Sequence, residues 1–194
     1  MDHGKKVATI LSYLLSPTAV GFYVILLLLF FSMKSTLSVD VILTLISAIF
    51  FLCILPIIGI LVYARKGRID IWVSNRKTRT PFYALAIGSY IFGVCWFYYM
   101  NLYELFVLSL TYVFVTTIIA IINLKTKISS HCAGLTGPFT AMIFVFGFIA
   151  IPLFCLLPPI IWARLKLNAH THLQLITGSF IGVIVTGAIY FIVY

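Results

Sequence analysis

Acidic side chains are almost missing from this sequence: among 194 residues it has only four, Asp2, Asp40, Asp70 and Glu104. Paired catalytic acids and metal sites built from carboxylates need more such groups close together. The four cysteines show no C-x-x-C spacing and three of them lie in apolar runs, so we interpret them as packing thiols. We therefore expect neither a resident metal nor a cofactor.

Charge of either sign is scarce. Charged residues make up 9% of the sequence and hydrophobic residues 63%, whereas an average soluble protein has about 25% charged residues. Apolar runs long enough to cross a hydrocarbon core of roughly 30 Å recur along the chain. The sequence therefore predicts an all-α fold, a polytopic transmembrane helical bundle, in which residues 1–194 form a single membrane domain.

Hydropathy predicts about seven helices, near residues 9–33, 39–63, 81–100, 104–124, 132–148, 150–164 and 170–193. The fifth and sixth are short, and Pro152, Pro158 and Pro159 interrupt the second of them, so we interpret this pair as a helical hairpin. Near the N-terminus, Ser16 and Pro17 suit the start of a helix, because serine caps helices and proline fits their first turn.

The formal net charge of +9 does not indicate nucleic-acid binding, because the cations sit in short stretches between apolar segments. With seven crossings, twelve of the thirteen lysines and arginines fall on one side and Lys34 alone on the other. The rule that cytoplasmic loops carry the excess of cations predicts a multi-pass protein of the cell membrane with this side in the cytoplasm. The crowded side comprises residues 1–6, 64–80, 125–131 and 164–169.

Three loops on the crowded side combine cations with other hydrogen-bonding groups. Arginine presents a planar fork of donors that matches phosphate oxygens, and lysine acts as a compact charge. Helix starts add free N–H groups that favour an anion. The sequence therefore predicts a site for a phosphate dianion at the membrane surface. Its candidate residues are Arg76, Lys77 and Arg79 in the first loop, Lys127, Ser129 and His131 in the second, and Arg164, His170 and Gln174 in the third.

His131 and His170 are both predicted at helix starts, where an imidazole can attack phosphorus or protonate a leaving oxygen. Gln174 follows His170 by four residues, one helical turn further on the same face. Its side-chain oxygen is therefore expected to accept a hydrogen bond from Nδ1–H of His170 and to orient the ring. Gly178 and Gly182 continue this face and would let another helix approach closely.

The order and spacing of these residues resemble the type 2 phosphatidic acid phosphatase (PAP2) superfamily, which is related to vanadium haloperoxidases. That family carries the motifs K-x6-R-P, P-S-G-H and S-R-x5-H-x3-D. The third motif matches at Arg164 and His170, with alanine replacing its serine and Gln174 its aspartate. The second motif matches at Ser129 and His131, with isoleucine for proline and serine for glycine.

The first motif is the weakest match, because Arg76, Lys77 and Arg79 precede Pro81 without the K-x6-R-P spacing. The resemblance covers about residues 70–190. It implies a PAP2-like catalytic core at about 64–194, preceded by N-terminal helices in residues 1–63.

The resemblance also implies the roles of the residues. His170 would be the nucleophile that forms a phosphohistidine, and His131 the general acid for the leaving alcohol. Gln174 would orient His170, and the scheme requires no metal. The phosphate oxygens would be held by Arg164, Arg79, Ser129, Lys127, Arg76 and Lys77.

The implied function is a metal-independent membrane phosphatase that hydrolyses a phosphomonoester or diphosphate of a glycerolipid or a polyprenyl lipid. The lipid phosphate and the bilayer are then its partners, and nucleic acid is not. An amide at Gln174 orients an imidazole but does not stabilise its charge as a carboxylate does, so two alternatives stay open. One is a lipid phosphotransferase on the same fold, and the other is a non-enzymatic lipid-binding or transport protein.

Overall fold

A computed structural model of the protein describes residues 2–32 and 39–194, and Lys34 lies outside these ranges. Within them every regular element is helical and none is a strand, which confirms the all-α prediction. The α-helices are α1 (His3–Leu14), α2 (Pro17–Leu27), α3 (Val39–Ile49), α4 (Leu55–Arg65), α5 (Thr80–Tyr99), α6 (Tyr103–Asn123), α7 (Ser130–Phe146), α8 (Leu157–Lys166) and α9 (His172–Val193). Shorter helical elements are the π-helical turns Leu28–Ser32 and Phe50–Ile54 and the 3-10 helices Arg76–Thr78 and Gly147–Leu156.

Several of these helices are long and apolar enough to cross a membrane, as in a multi-pass membrane protein. In the described part of the chain five segments qualify, and six do so if α1 and α2 together form one bent span. The count of seven stays a prediction, because the two helices expected between residues 132 and 164 belong to one helical run here. The five segments are Val41–Arg65, Arg76–Tyr99, Tyr103–Asn123, Ser130–Lys166 and His172–Val193.

The first predicted helix, residues 9–33, is wrong as a single element. Helical structure begins already at His3 and is broken before Pro17, where α1 and α2 meet at a bend of 47°. The bend arises because proline begins a new helix and Ser16 caps it, its Oγ accepting the N–H of Ala19 at 3.3 Å. The roles predicted for Ser16 and Pro17 are confirmed.

The sixth predicted helix, residues 150–164, is also wrong in its first half. α7 ends at Phe146. The next residue, Gly147, has a positive φ of 72° that suits glycine, and it begins a 3-10 helix that contains Pro152 and extends to Leu156. A straight α-helix of 37 residues would be about 55 Å long. His131 near the start of this run and Arg164 near its end nevertheless contact the same ring, that of Trp72. The run therefore turns back on itself.

Gly178 and Gly182 of α9 lie where the sequence predicts a close helix approach. A Cβ placed on Gly178 would lie 2.5 Å from the carbonyl oxygen of Ser129. A Cβ on Gly182 would collide with Thr136 Oγ1 and would lie 2.7 Å from the carbonyl oxygen of Ala133. The backbones of α7 and α9 thus touch, and this contact fixes the start of α7 beside the start of α9.

We predict that Gly182→Ala destabilises the protein, because the added methyl group meets backbone atoms that cannot move independently. Overpacking of this kind costs about 1–3 kcal/mol, which should lower the Tm in detergent by several degrees. Gly187→Ala on the same helix is the matched control, since a Cβ there meets nothing within 4 Å. Equal Tm values for the two variants would contradict the close α7–α9 contact.

Candidate functional site

Asp70 shapes the loop between α4 and α5. Its carboxylate accepts the backbone N–H groups of Trp72 at 3.0 Å and Ser74 at 2.8 Å. Burial pushes the pKa of Asp70 upward, but hydrogen bonds from Ser74 and Trp72 outweigh it and hold the pKa below its ordinary value. Val73 within this turn has a φ of +46°, a strained conformation for a β-branched residue. The ionised Asp70 thus stabilises a turn that directs Trp72 and the Val73 carbonyl inward.

Arg79 links the first and second loops. Its Nε donates to the carbonyl oxygen of Val73 at 2.8 Å, and its Nη1 donates to that of Ile128 at 3.4 Å. The side chain is buried. Because both acceptors are neutral carbonyls, the positive charge of the guanidinium is not compensated by these contacts.

Arg164 is the least satisfied polar side chain of the cluster. It is only 4% exposed, and its Nε and Nη1 atoms have no hydrogen-bond partner among the described residues. Its Cζ lies 5.2 Å from the ring centroid of Trp72, in a cation–π contact. Burying a charge without a partner costs several kcal/mol, so the arrangement favours an anionic ligand.

His131, the second residue of α7, lies beside Arg164. Its ring centroid is 5.5 Å from that of Trp72, so one indole supports both side chains. Its Nε2 is 3.3 Å from the carbonyl oxygen of Ser12, which can only accept a hydrogen bond. Nε2 therefore carries a proton, and Nδ1 is the nitrogen left to exchange a proton with a ligand.

His170 lies just before α9, not inside it as the sequence predicts. Thr171 is the N-cap, and Thr171 and Gln174 form a reciprocal capping box. In this box Gln174 Oε1 accepts the N–H of Thr171 at 3.3 Å and lies 3.2 Å from Nδ1 of His170. An amide oxygen only accepts, so Nδ1 carries the proton and Nε2 holds a free lone pair. The predicted contact with Gln174 is present, made through the helix cap.

Burial, followed by the positive charge of Lys127, lowers the pKa of His170 to about 3. The hydrogen bond with Gln174 raises this pKa, but by less than burial and Lys127 lower it. The imidazole is therefore neutral near pH 7. Burial followed by the charges of Arg79 and Arg164 likewise lowers the pKa of Lys127. These mutual effects show that cations from all three loops converge on one small region.

The two serines at the start of α7 differ in orientation. Ser129 is fully buried, and its Oγ accepts the N–H of Cys132 at 3.3 Å as the N-cap of the helix. Its own N–H donates to the carbonyl oxygen of Gln174 at 3.3 Å. Ser130 lines the cavity described below, with its Oγ 3.1 Å from the hydroxyl of Tyr83. The role predicted for Ser129 stays a prediction, and Ser130 is the serine that faces the cavity.

Two predicted phosphate ligands are not brought into the cluster. The guanidinium of Arg76 donates to the carbonyl oxygens of Asn123 and Leu124, and thereby caps the end of α6. Lys77 is exposed, and neither Arg76 nor Lys77 lines the cavity. The third cation of this loop, Arg79, does line it.

The polar cluster forms one end of a cavity of about 720 Å³. This end provides two arginines, two histidines and two hydroxyl groups, which could bind a tetrahedral anion and exchange a proton with it. The polar lining residues at this end are Arg79, Tyr83, Ser130, His131, Arg164 and His170.

Sequence reasoning missed Trp72 and Ser130. Trp72 contacts Arg164, His131 and, with ring centroids 4.6 Å apart, Tyr13. A tryptophan inside a loop rich in arginine could have indicated this contact, because arginine side chains often lie against aromatic rings. Comparison of the chain with protein-family models, curated proteins and solved structures found no match.

We predict that inorganic phosphate raises the Tm of the protein and that Arg164→Met abolishes this effect. Losing a charged hydrogen-bond donor should weaken phosphate binding by about 10- to 100-fold. Arg68→Met is the matched control, since Arg68 is exposed and its guanidinium lies over Tyr63. Without phosphate, Arg164→Met should unfold no earlier than the unsubstituted protein, because it removes an unpaired buried charge. Equal phosphate protection of both variants would refute an anion site at Arg164.

Proposed function

We propose that the protein is a metal-independent lipid-phosphate phosphatase of the PAP2 type, with about seven membrane crossings and its site on the cytoplasmic face of a cell membrane. Its substrate is a phosphomonoester or diphosphate of a glycerolipid or polyprenyl lipid. The observation that carries the proposal is the buried guanidinium of Arg164, which has two unpartnered nitrogens in a cavity shared with His131 and His170.

Phosphate binding is the first role of the cluster. A phosphate dianion offers oxygens to Arg164 and Arg79, and its charge offsets the mutual repulsion of these cations and Lys127. Donors already in place do not need to reorganise as charge develops on the transferred group. Ser130, which lines the cavity, supplies a further donor at the start of α7.

Phosphoryl transfer to His170 is the second step. The lone pair on Nε2 attacks phosphorus, an N–P bond forms, and the bond from phosphorus to the ester oxygen breaks. The departing oxygen takes a proton from Nδ1 of His131, whose imidazolium form the bound phosphate dianion favours, and leaves as an alcohol. The imidazole of His170 suits this role because its low pKa keeps it neutral and Gln174 holds the proton on Nδ1.

Hydrolysis completes the cycle. Water attacks phosphorus, gives a proton to the now neutral His131, and displaces Nε2 of His170, to which the electrons of the N–P bond return. The products are the alcohol and inorganic phosphate, and both histidines regain their starting protonation states.

A lipid phosphotransferase is the second candidate. In that reaction a lipid hydroxyl takes the place of water as the acceptor. Gln174 favours it, because an amide stabilises the charged phosphoimidazole less than a carboxylate does and leaves it a more reactive donor. A labelled phosphate found on a second lipid, and not in water, would distinguish this reaction from hydrolysis.

We predict that the purified protein releases phosphate from a panel of glycerolipid and isoprenoid phosphates in the presence of a chelator. His170→Ala should lower kcat by at least about 1,000-fold, since it removes the nucleophile. His172→Ala is the matched control, because His172 is exposed at the start of α9. Full activity of His170→Ala would refute the mechanism, and lipid binding without turnover, unchanged in His131→Ala, would favour a binding or transport protein.

We predict that Gln174→Asp shifts the acid limb of the kcat/KM profile to higher pH. In the unsubstituted protein His170, with a pKa of about 3, is protonated only at strongly acidic pH, so the nucleophile persists as the pH falls through 6 and 5. A carboxylate beside Nδ1 stabilises the imidazolium and raises this pKa. Gln174→Leu should instead reduce kcat at every pH and move the limb to lower pH, because it removes the hydrogen bond that raises the pKa of His170. Superimposable profiles for Gln174→Asp and the unsubstituted protein would rule out His170 as the titrating nucleophile.

A further inference from the structure

The cavity continues far beyond the polar cluster. Along α5 it is lined from Arg79 at the polar end to Tyr90. Eleven residues of helix correspond to about 16 Å. This depth is about half of the roughly 30 Å hydrocarbon core of a bilayer. The inner end of the cavity therefore lies about one leaflet away from the phosphate site.

The walls below the polar cluster are mostly apolar. Phe82 and Ala86 of α5, Ile57 and Ile60 of α4, and Val115 of α6 line this part. Such walls bind hydrocarbon well, and the residues that line them carry no charged side chain. A volume of about 720 Å³ lies within the range typical for one small ligand.

Two tyrosines, Tyr90 and Tyr112, line the inner end. The rings of Tyr90 and Tyr112 pack edge to face with centroids 5.2 Å apart. Beside them, Cys53 Sγ donates to the carbonyl oxygen of Thr18 at 3.6 Å. A Cβ on Gly21 would lie 3.3 Å from the Tyr112 hydroxyl, so the absent side chain gives the tyrosine room. Four segments, α2, the Phe50–Ile54 turn, α5 and α6, thus form a floor.

We propose that the cavity holds one hydrocarbon tail of a lipid phosphate and that Tyr90 and Tyr112 set the longest tail that fits. This inference rests on the proposed function for the phosphate at its polar end. The occupant is a single chain because the cavity has one polar end, one floor and the length of one leaflet. A second chain of a two-chain lipid stays in the bilayer.

The geometry gives a length limit. An extended alkyl chain advances about 1.25 Å per carbon, from bonds of about 1.52 Å and an angle of about 111°. The 16 Å between the two ends of the cavity then accommodates about 12 carbons. Each methylene buried before this limit should tighten binding about fourfold, from about 0.8 kcal/mol per CH₂. Further carbons should add little or weaken binding.

The test uses a series of straight-chain alkylphosphonates, whose C–P bond the proposed reaction does not cleave. Their affinity is measured by thermal stabilisation of the purified protein in detergent. In the unsubstituted protein we expect affinity to rise with chain length up to about 12 carbons and then to stop rising. We call this chain length the break. Ala86→Phe should move the break to about 8 carbons, because Ala86 lies seven residues, or about 10 Å, from Arg79. Ala84→Phe on the exposed face of α5 is the matched control and should leave the break unchanged.

A second variant protects the test against misfolding. Tyr112→Ala opens the floor and should move the break to longer chains. The inference is overturned if Ala86→Phe and Ala84→Phe show the same chain-length profile, or if Tyr112→Ala leaves the break in place. A shifted break together with no phosphate release from alkyl phosphates would support the tail site and refute the phosphatase. Phosphate release without any break would support the phosphatase and refute the tail site.

Discussion

Two nitrogens of the Arg164 guanidinium are buried without hydrogen-bond partners, close to Arg79 and Lys127. Such an arrangement is unfavourable in the empty protein, because the charges are desolvated and repel one another. Most buried polar groups in proteins are paired, so an unpaired cation lining a cavity favours an anionic ligand. The rest of the site depends on these buried charges: burial first, and then the charge of Lys127, lower the pKa of His170 and keep its imidazole neutral.

The cluster depends on contacts that hold three loops together. The glycine contact between α7 and α9 places His131 and His170 at adjacent helix starts. Trp72 then contacts His131 and Arg164, and the carbonyl oxygen of Val73 accepts a hydrogen bond from Arg79. Strain persists only where the surrounding structure enforces it, and here the Asp70 turn does so. The stability of the fold and the geometry of the site are therefore linked.

The sequence predicted the features that follow from periodicity and spacing. Helical content, the start at Pro17, the glycine face and the His170–Gln174 contact were all within reach of such reasoning. Prediction from the sequence failed for contacts between residues that are far apart in the chain and close together in the fold. Nothing local indicates that Arg76 caps α6, because its acceptors lie 47 and 48 residues later. Hydropathy likewise cannot distinguish an α-helix from the apolar 3-10 helix at Gly147–Leu156.

The Trp72 contact shows the same limit. Its partners Tyr13, His131 and Arg164 come from α1, α7 and α8, and no spacing in the sequence relates them. The orientations of Ser129 and Ser130 show the same limit, since the N-cap geometry turns the Ser129 hydroxyl toward its own helix. Side-chain direction at a helix start depends on the cap, which the spacing of residues does not specify.

The most direct measurement of the central claim is an experimental structure of the protein bound to orthovanadate, which resembles phosphorus in the act of transfer. The account predicts vanadium bonded to Nε2 of His170, with Arg79 and Arg164 contacting its equatorial oxygens and Nδ1 of His131 near the apical oxygen. Vanadate bound elsewhere, or the rings of His131 and His170 facing away from it, would contradict the account.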